Sequence, residues 1–171
     1  MKSGKLKSEL EIQRALISAE GTDLGPLKVE FLLRSLSILE PRAPVCISEE
    51  DSLLYAISCL RKHKIGCVLV INTDGALTGI FSERDCILKL NCPTEEYGRR
   101  KISEFMTRNP VTQPPTGSIA YALNLMSEGG FRHIPIVDQD NLPIGIISVK
   151  DVVDYLVRSY TEALLGFDTL V

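Results

Sequence analysis

Two short segments of the chain carry a serine and an aspartate at the same spacing. The stretches GIFSERDCILKL and GIISVKDVVDYL place Ser82 before Asp85 and Ser148 before Asp151. In each stretch a β-rich run leads into an apolar helical pattern, which predicts a strand that turns directly into a helix. Both pairs therefore fall at a predicted helix start, where backbone N–H groups have no partner within the helix.

This spacing supports two kinds of chemistry. The first is local, because a serine N-cap with an acid at the third helical position is nearly a capping box, worth about 1 kcal/mol without any ligand. The second is ligand binding. A carboxylate at a helix start can accept hydrogen bonds from the vicinal diol of a ribose, while the serine hydroxyl and free N–H groups can hold a phosphate. The spacing alone leaves both interpretations open.

Cationic side chains accompany the second pair more closely than the first. Arg84 lies beside the first pair and Lys150 beside the second. Arg132 and His133 begin the β-rich run that precedes the second pair, whereas the corresponding run before the first pair begins with a glycine and a cysteine. Because hydrogen bonds between ionised partners are strong, we expect the site with Asp151 to bind an anionic ligand more tightly. The alternatives are a surface arginine and a hydrogen-bonded histidine at a strand edge.

The region around each pair is repeated. Residues 44–90 align without a gap on residues 110–156, and most aligned positions keep their apolar or polar character. Each copy predicts the order β-α-β-β-α, with short first strands in PVCI and PVTQ and closing helices that begin at Glu83 and Val149. The double glycine of SEGG is expected to end the first helix of the second copy. Two copies are too few for a solenoid and suit a pseudo-symmetric pair.

The predicted organisation includes an N-terminal extension and two units. The boundaries are residues 1–35 for the extension, 36–91 for the first unit, 92–101 for a polar linker, 102–165 for the second unit and 166–171 for a tail. The lead-in of each unit is expected to pack on the other copy. Candidate apolar contacts of the helical extension are Leu6, Leu10, Leu16 and Ile17. The expected buried residues are Leu53, Ile57, Val68, Val70, Ile119, Leu123, Ile134 and Ile136.

Composition excludes several classes of function. The 171 residues are 44% hydrophobic and 24% charged with a net charge of -3, which argues against a nucleic-acid module that depends on phosphate neutralisation. No apolar run approaches the roughly 20 residues of a membrane span, and the basic start lacks the apolar stretch of a secretory signal. Five cysteines without a CxxC pair indicate a reduced, cytoplasmic protein.

The two copies together resemble a tandem pair of cystathionine β-synthase (CBS) domains, called a Bateman module. The resemblance covers residues 36–160 and is carried by KISEFMTRNPVTQ, FRHIPIVDQDNLPIGIISVKDVVDYL and the two Gly-Ile-x-Ser-x-x-Asp segments in register. It implies an α/β (α+β) fold of two pseudo-symmetric β-α-β-β-α units packed sheet to sheet, plus an N-terminal partly helical extension. The first unit departs more from the family pattern, because SILEPRAPVCI lacks the usual Met-Thr lead-in.

The resemblance also implies a function. Such modules regulate a partner protein and bind adenosine-containing ligands such as AMP, ADP, ATP or S-adenosylmethionine, so no cofactor is expected beyond a regulatory nucleotide. It implies that the two aspartates hold ribose hydroxyls, that the two serines assist, and that the base lies near the first strands. The predicted ligand-binding residues are Cys46, Ile47, Ser82, Arg84, Asp85, Thr112, Gln113, Arg132, His133, Ser148, Lys150 and Asp151.

The remaining predictions concern partners and catalysis. The resemblance implies a homodimer, with Tyr55 and Tyr121 as candidate contacts, and an unknown effector protein, but no nucleic-acid or membrane partner. No catalytic residue and no metal ligand is predicted, because the chain has no catalytic or Cys/His metal-binding motif. The rival interpretation is a structural dimerisation or docking module that binds no nucleotide, since a fold does not guarantee a ligand.

Overall fold

The computed structural model describes residues 8–18 and 29–164 of the chain. Its helices in these residues are α1 (Glu9–Ser18), α2 (Val29–Leu33), α3 (Leu53–His63), α4 (Glu83–Lys89), α5 (Ile119–Gly129) and α6 (Val149–Leu164). Its strands are β1 (Cys46–Ser48), β2 (Cys67–Ile71), β3 (Leu77–Ser82), β4 (Thr107–Arg108), β5 (His133–Val137) and β6 (Pro143–Ser148). Short 3-10 helices lie at Leu36–Leu39, Thr94–Glu96 and Ile102–Glu104.

The predicted helix boundaries of the two repeats are confirmed. Helices α4 and α6 begin at the two predicted residues, directly after β3 and β6. Ser52 and Ser118 are the N-caps of α3 and α5, and each hydroxyl accepts a hydrogen bond from the backbone N–H three residues later. Helix α5 ends at Gly129, and Gly130 follows with a positive φ of 66°, the left-handed conformation that glycine adopts at little cost.

The first strand of the second repeat is shorter than predicted. PVCI contains the three-residue strand β1, whereas PVTQ contributes only an isolated parallel bridge between Gln113 and Ile136. The reason is the run of prolines around PVTQ, at Pro110, Pro114 and Pro115. Proline has no backbone N–H to donate, so a strand ladder cannot continue through these positions.

The strands form two separate sheets. Strands β1 to β4 form a sheet in sequence order, in which β1 is parallel to β2 and the other neighbours are antiparallel. Strands β5 and β6 form a two-stranded sheet. The hairpin strands that contain Gly79 and Gly145 therefore belong to different sheets, as predicted for a paired repeat. The sequence did not predict β4, which comes from the lead-in of the second repeat and pairs with β3.

The chain divides into two compact units that do not coincide with the repeats. We call the first the sheet unit, which contains residues Arg42–Pro114 and Pro135–Ile146. We call the second the helical unit, which contains the described residues up to Pro41, Pro115–Ile134 and the described residues from Ile147 onward. The helical unit holds α1, α2, α5 and α6, whereas the four-stranded sheet, α3 and α4 lie in the sheet unit.

In the sheet unit, the lead-in of the second repeat completes the first repeat. The Leu53 N–H donates to the Arg100 carbonyl at 2.8 Å, and the Ile102 N–H donates to the Asp51 carbonyl at 2.8 Å. The first of these bonds satisfies an N–H at the start of α3 that has no partner within the helix. The side chain of Ile102 is fully buried in the same apolar cluster as Leu53.

The helical unit contains the pseudo-symmetric counterpart of this arrangement. The Ile119 N–H donates to the Arg34 carbonyl at 3.0 Å, and the Leu36 N–H donates to the Gly117 carbonyl at 2.8 Å. Leu36 is fully buried. Because all four residues occupy the positions aligned with those of the sheet unit, each repeat gives its lead-in to the first helix of the other. The predicted packing of each lead-in on the other copy is confirmed.

The predicted core is largely confirmed. Six of the eight predicted core residues are at most 1% exposed, namely Leu53, Val68, Val70, Ile119, Ile134 and Ile136. Ile57 and Leu123 are half-buried, because each lies at the edge of the apolar stripe of its helix.

The extension forms the predicted helix, but its apolar contacts differ from the prediction. Helix α1 has no fully buried residue, and Leu10 and Ile17 are 56% and 55% exposed. Leu16 is half-buried, and Leu6 lies outside the described residues. A short helix with scattered leucines offers more than one apolar face, so the sequence pattern does not determine which face packs.

Candidate functional site

The first strand-to-helix corner lies in the sheet unit, where β3 ends at Ser82 and α4 begins. The Asp85 carboxylate folds back over this corner. Its Oδ2 atom accepts hydrogen bonds from the Ser82 backbone N–H at 2.8 Å and from the Ser82 hydroxyl at 2.6 Å. The Glu83 N–H donates to the Gly66 carbonyl at 3.0 Å, which ties the helix start to the chain before β2. This is the reciprocal capping that the Ser-x-x-Asp spacing predicts.

The second carboxylate oxygen of Asp85 is also occupied. Its Oδ1 atom lies 2.7 Å from the Lys89 ammonium and accepts a long hydrogen bond from the Thr107 hydroxyl at 3.5 Å. Lys89 in turn donates to the Thr107 Oγ1 atom at 2.8 Å. The side chain of Asp85 is only 13% exposed. The negative charge of Asp85 is therefore balanced within the protein by a lysine one helical turn away, and a threonine on β4 donates a hydrogen bond to the same oxygen.

Protonated thiols surround the first corner. Burial, reinforced by the negative charges of Asp85 and Glu83, raises the pKa of Cys67 to about 12. Burial also raises the pKa of Cys86, and Asp85 adds to the effect. Since a thiol is a nucleophile only as its thiolate, the raised pKa values lower the reactivity of both cysteines at neutral pH. They act here as small apolar side chains.

The second corner lies in the helical unit and repeats the cap. Where β6 ends, the Asp151 Oδ2 atom accepts hydrogen bonds from the Ser148 backbone N–H at 2.7 Å and from the Ser148 hydroxyl at 2.6 Å. The Asp151 N–H donates back to the Ser148 hydroxyl at 3.4 Å. The Val149 N–H donates to the Arg132 carbonyl at 3.1 Å, the counterpart of the bond between Glu83 and Gly66.

The two corners differ one helical turn after the aspartate. At the position aligned with Lys89, the second repeat has Tyr155. The Tyr155 hydroxyl accepts a hydrogen bond from Arg34 Nη1 at 3.2 Å, and its ring stacks on Phe31 with the centroids 5.4 Å apart. The sequence predicted neither contact. The i,i+4 spacing would have indicated the pair of Asp85 with Lys89, but no local signal indicates Thr107 or the partners of Tyr155.

The predicted cationic residues have several different roles. Lys150 forms an exposed ion pair with Asp154. Arg132 is exposed just before β5, and its backbone carbonyl supports the start of α6. His133 is half-buried at the first position of β5, and Arg84 is exposed on the first turn of α4. The helical unit thus contains the second corner together with Arg132 and Lys150.

The predicted base-binding residues lie in the sheet unit. Ile47 is 3% exposed and belongs to the apolar core, so its side chain is committed to packing. Gln113 is 7% exposed, and its side-chain amide donates to the Thr112 carbonyl at 2.9 Å. Its backbone N–H and carbonyl pair with Pro135 and Val137. Cys46 and Thr112 are half-buried, so they are the members of this set with side-chain surface for a ligand.

One buried acceptor near the Gln113 bridge is unmatched. Within the described residues, the Oε1 atom of Gln113 is buried and has no hydrogen-bond partner. The aligned residue of the first repeat is the apolar Ile47, so the polar group is a particular property of the second repeat. A buried acceptor of this kind costs about 1–3 kcal/mol unless a donor reaches it.

A family model described as CBS domain matches the chain twice, over residues 39–91 and residues 102–158. Among curated proteins, the mitochondrial CBS domain-containing protein CBSX3 of Arabidopsis thaliana is 29% identical over 119 residues, which are 67% of this chain and 57% of that protein. The CBS domain-containing protein YhcV of Bacillus subtilis (strain 168) is 31% identical over 105 residues, 61% of this chain and 73% of that protein. The match thus spans little more than half the length of CBSX3.

Solved structures share the architecture. The CBS-domain protein ATU1752 from Agrobacterium tumefaciens is 31% identical with a TM-score of 0.62, over 71% of this chain and 97% of that chain. The CBS domain pair of MJ0100, in complex with 5′-methylthioadenosine and S-adenosyl-L-methionine, is 23% identical with a TM-score of 0.64, over 75% and 98% of the two chains. CBSX2 in complex with AMP is 22% identical with a TM-score of 0.63, over 73% and 97%. At these identities the last two show the fold alone.

Within residues 8–18 and 29–164, no helix combines the length and the apolar character that a membrane span requires. In the same residues, no group of three or more His, Cys, Asp or Glu side chains is arranged to hold a metal ion.

Proposed function

Since the chain belongs to the CBS domain family, we propose that it is a regulatory module that binds an adenosine-containing ligand such as AMP, ADP or ATP. The observation that carries this proposal is the second corner. There the Asp151 carboxylate already accepts a hydroxyl hydrogen bond, from Ser148 at 2.6 Å, at the start of a long helix. A ribose offers two adjacent hydroxyl donors to the same kind of acceptor.

The ligands of two structural neighbours support this class. Methylthioadenosine and S-adenosylmethionine in MJ0100, and AMP in CBSX2, have an adenosine in common. They differ in the group attached to the ribose, so the ribose diol and the base are the shared features. In this chain the diol would bind at the aspartate of the corner, and a phosphate would bind Arg132, His133 and Lys150 through charge-assisted hydrogen bonds.

The second corner is our choice for the dominant site. At the first corner, a diol must compete with Lys89 and Thr107 for Asp85, and the charge-assisted bond of Lys89 has to be broken or shared. The second corner shares its unit with the cations Arg132 and Lys150, which can bind a phosphate through charge-assisted hydrogen bonds. We therefore propose strong binding at Asp151 and weak binding at Asp85.

The decisive experiment is calorimetry with AMP on matched variants. Asp151→Ala is expected to remove most of the binding at a folding cost of about 1 kcal/mol, the value of a lost cap. Asp85→Ala removes the same cap in the other repeat and is the matched control, with binding close to wild type. Loss of binding in Asp85→Ala alone would reverse our assignment of the dominant site.

A structural module without a nucleotide is the second candidate function. It is favoured by the caps themselves, because both aspartates accept hydrogen bonds from their own serines without any ligand. Thermal melting with AMP, ATP and S-adenosylmethionine distinguishes the two functions. A ligand at 100 times its Kd adds about 2.7 kcal/mol to the free energy of unfolding. If millimolar concentrations of all three leave the melting temperature unchanged, the structural function is favoured.

We also propose that the protein is a homodimer that signals to an effector protein in the cytoplasm. The dimer is supported by large apolar side chains exposed on α3 and α4, where Leu54, Tyr55, Ile87 and Leu88 are 50% to 82% exposed. Tyr121, the other candidate contact, is half-buried. All five cysteines are free thiols, which a reducing compartment maintains. Light scattering that gave a particle of 18.9 kDa at micromolar concentration would contradict the dimer.

A further inference from the structure

The described part of the N-terminal extension crosses two helices of the second repeat. We call residues 8–18 and 29–35 the strap. At α5, the Arg34 carbonyl accepts the Ile119 N–H at 3.0 Å, and the Glu9 carboxylate accepts the Ser118 N–H at 3.2 Å. The Ser35 hydroxyl donates to the Pro115 carbonyl at 2.6 Å. The strap thus supplies acceptors at the start of α5, where backbone N–H groups have no partner within the helix.

At α6 the strap contacts the aromatic side chain of Tyr155. The rings of Phe31 and Tyr155 are nearly parallel, with 13° between their planes and 5.4 Å between their centroids. Arg34 Nη1 donates to the Tyr155 hydroxyl at 3.2 Å, and the Arg158 guanidinium lies 5.6 Å from the centre of the same ring. The strap therefore contacts α6 at Tyr155, through ring stacking by Phe31 and a hydrogen bond from Arg34.

Tyr155 is also close to the candidate ligand site along the helix. Asp151 and Tyr155 are one turn apart on the continuous helix α6, which the cap between Ser148 and Asp151 begins. On the basis of the proposed function, we propose that docking of the strap on Tyr155 is coupled to ligand binding at the Ser148–Asp151 corner. The strap would then transmit the occupancy of the site to the surface of the molecule.

The coupling requires two states of the strap, and its contacts make a second state accessible. The α1 part has no fully buried residue and exposes Leu10 and Ile17, so we expect it to open at a lower free energy than the buried core. A ligand that fixes the first turn of α6 favours the docked state. By thermodynamic linkage, docking of the strap raises ligand affinity by the same factor that the ligand raises docking. Such factors are typically about 5- to 150-fold.

The test uses the full chain, hydrogen exchange of α1 and calorimetry with AMP. Phe31→Ala removes the ring that stacks on Tyr155, and Arg34→Gln removes only the side-chain bond to the Tyr155 hydroxyl. Both variants are expected to speed exchange of α1 and to weaken AMP binding, about fivefold for Phe31→Ala and less for Arg34→Gln. Leu10→Ala is the matched control, because it shortens an exposed side chain of the strap away from Tyr155 and should change neither quantity.

The reciprocal measurement completes the test. Saturating AMP is expected to slow the exchange of α1 in the wild type about fivefold, and Asp151→Ala should abolish this effect. The coupling is overturned if Phe31→Ala speeds α1 exchange while AMP binds with wild-type affinity, or if bound AMP leaves α1 exchange unchanged. If the wild-type protein binds no AMP, the proposed function is wrong. Hydrogen exchange of α1 in the ligand-free variants then still shows whether the contacts with Tyr155 hold the strap on α6.

Discussion

The two strand-to-helix corners have the same cap and different surroundings. In both, an aspartate accepts hydrogen bonds from the N–H and the hydroxyl of the serine three residues earlier, at distances that agree within 0.1 Å. One turn later the first corner has Lys89, bound to the aspartate, and the second has Tyr155, bound to the strap. Local sequence therefore builds the cap and the pair of Asp85 with Lys89, while tertiary contacts bring Thr107 to the first corner and Phe31 and Arg34 to Tyr155.

The same comparison extends to the two lead-ins and predicts the largest effects. Ile102 and Leu36 are both fully buried and each completes the other repeat. Ile102→Ala and Leu36→Ala should each lower the free energy of unfolding by about 3 kcal/mol, because a cavity adds to the lost transfer energy. Urea denaturation measures the loss in both variants. The control is Val157→Ala, whose side chain is 59% exposed and which should change stability by no more than about 0.5 kcal/mol. If one lead-in tolerates alanine, the exchange of lead-ins is not symmetric in energy.

The next prediction concerns the backbone of β3. A Cβ atom added at Gly79 would lie 2.3 Å from the Met106 sulfur, and Met106 itself is 7% exposed. Gly79→Ala should therefore cost about 1–3 kcal/mol through overpacking. Part of this loss should return in the double variant with Met106→Ala. Gly98→Ala is the control, because its Cβ would meet only Leu54 at 3.9 Å. If the stability losses of the two single variants simply add in the double variant, contact with Met106 is not the cause of the loss in Gly79→Ala.

A third prediction compares residues at the starts of β2 and β5, where the first repeat has Cys67 and the second has His133. Burial raises the pKa of the Cys67 thiol to about 12 in the folded protein, from the ordinary value of 9.0 in the unfolded chain. The unfolded state therefore loses its proton first, and stability falls as the pH rises above 9. Linkage gives a loss on the order of 1 kcal/mol at pH 10. Urea titrations of wild type and Cys67→Ala at pH 7 and 10 isolate this contribution.

The smallest expected effect separates the corners themselves. Lys89→Met should lower stability by only about 0.3–0.5 kcal/mol, because the pair is an i,i+4 contact of a partly exposed lysine. The loss should shrink as salt is added. Lys150→Met removes the more exposed pair with Asp154 and is expected to cost less. Equal losses in the two variants would mean that Asp85 and its lysine are no more tightly coupled than a surface pair.

Sequence reasoning succeeded where the determining contacts are short in range. Reciprocal capping follows from a serine and an aspartate three residues apart, and the helix starts after β3 and β6 follow from the same pattern. The weakness of the PVTQ strand has an equally local cause, since Pro110 begins the segment and Pro114 and Pro115 follow it directly. The repeat itself predicted that the lead-ins would be exchanged.

Other features depend on contacts that no local pattern encodes. Thr107 reaches the first corner only because β4 pairs with β3, and Phe31 meets Tyr155 only because the strap crosses α6. Exposure of Leu10 and Ile17 has the same origin, because the face of α1 that packs depends on where α5 and α2 lie. The pattern of a helix shows that it has an apolar face but does not identify the partner.

Exchange of the lead-ins has a consequence for synthesis on the ribosome. Helix α3 emerges early, yet the carbonyl of Arg100 that caps it and the strand β4 that extends its sheet emerge much later. The hydrogen bond of Arg34 to Tyr155 joins residues 121 positions apart. A nascent chain that ends before Arg100 therefore exposes the edge of β3 that pairs with β4 and leaves the Leu53 N–H without its acceptor. The first repeat can therefore complete its fold only after the lead-in of the second repeat has been synthesised. Non-local contacts of this kind slow folding.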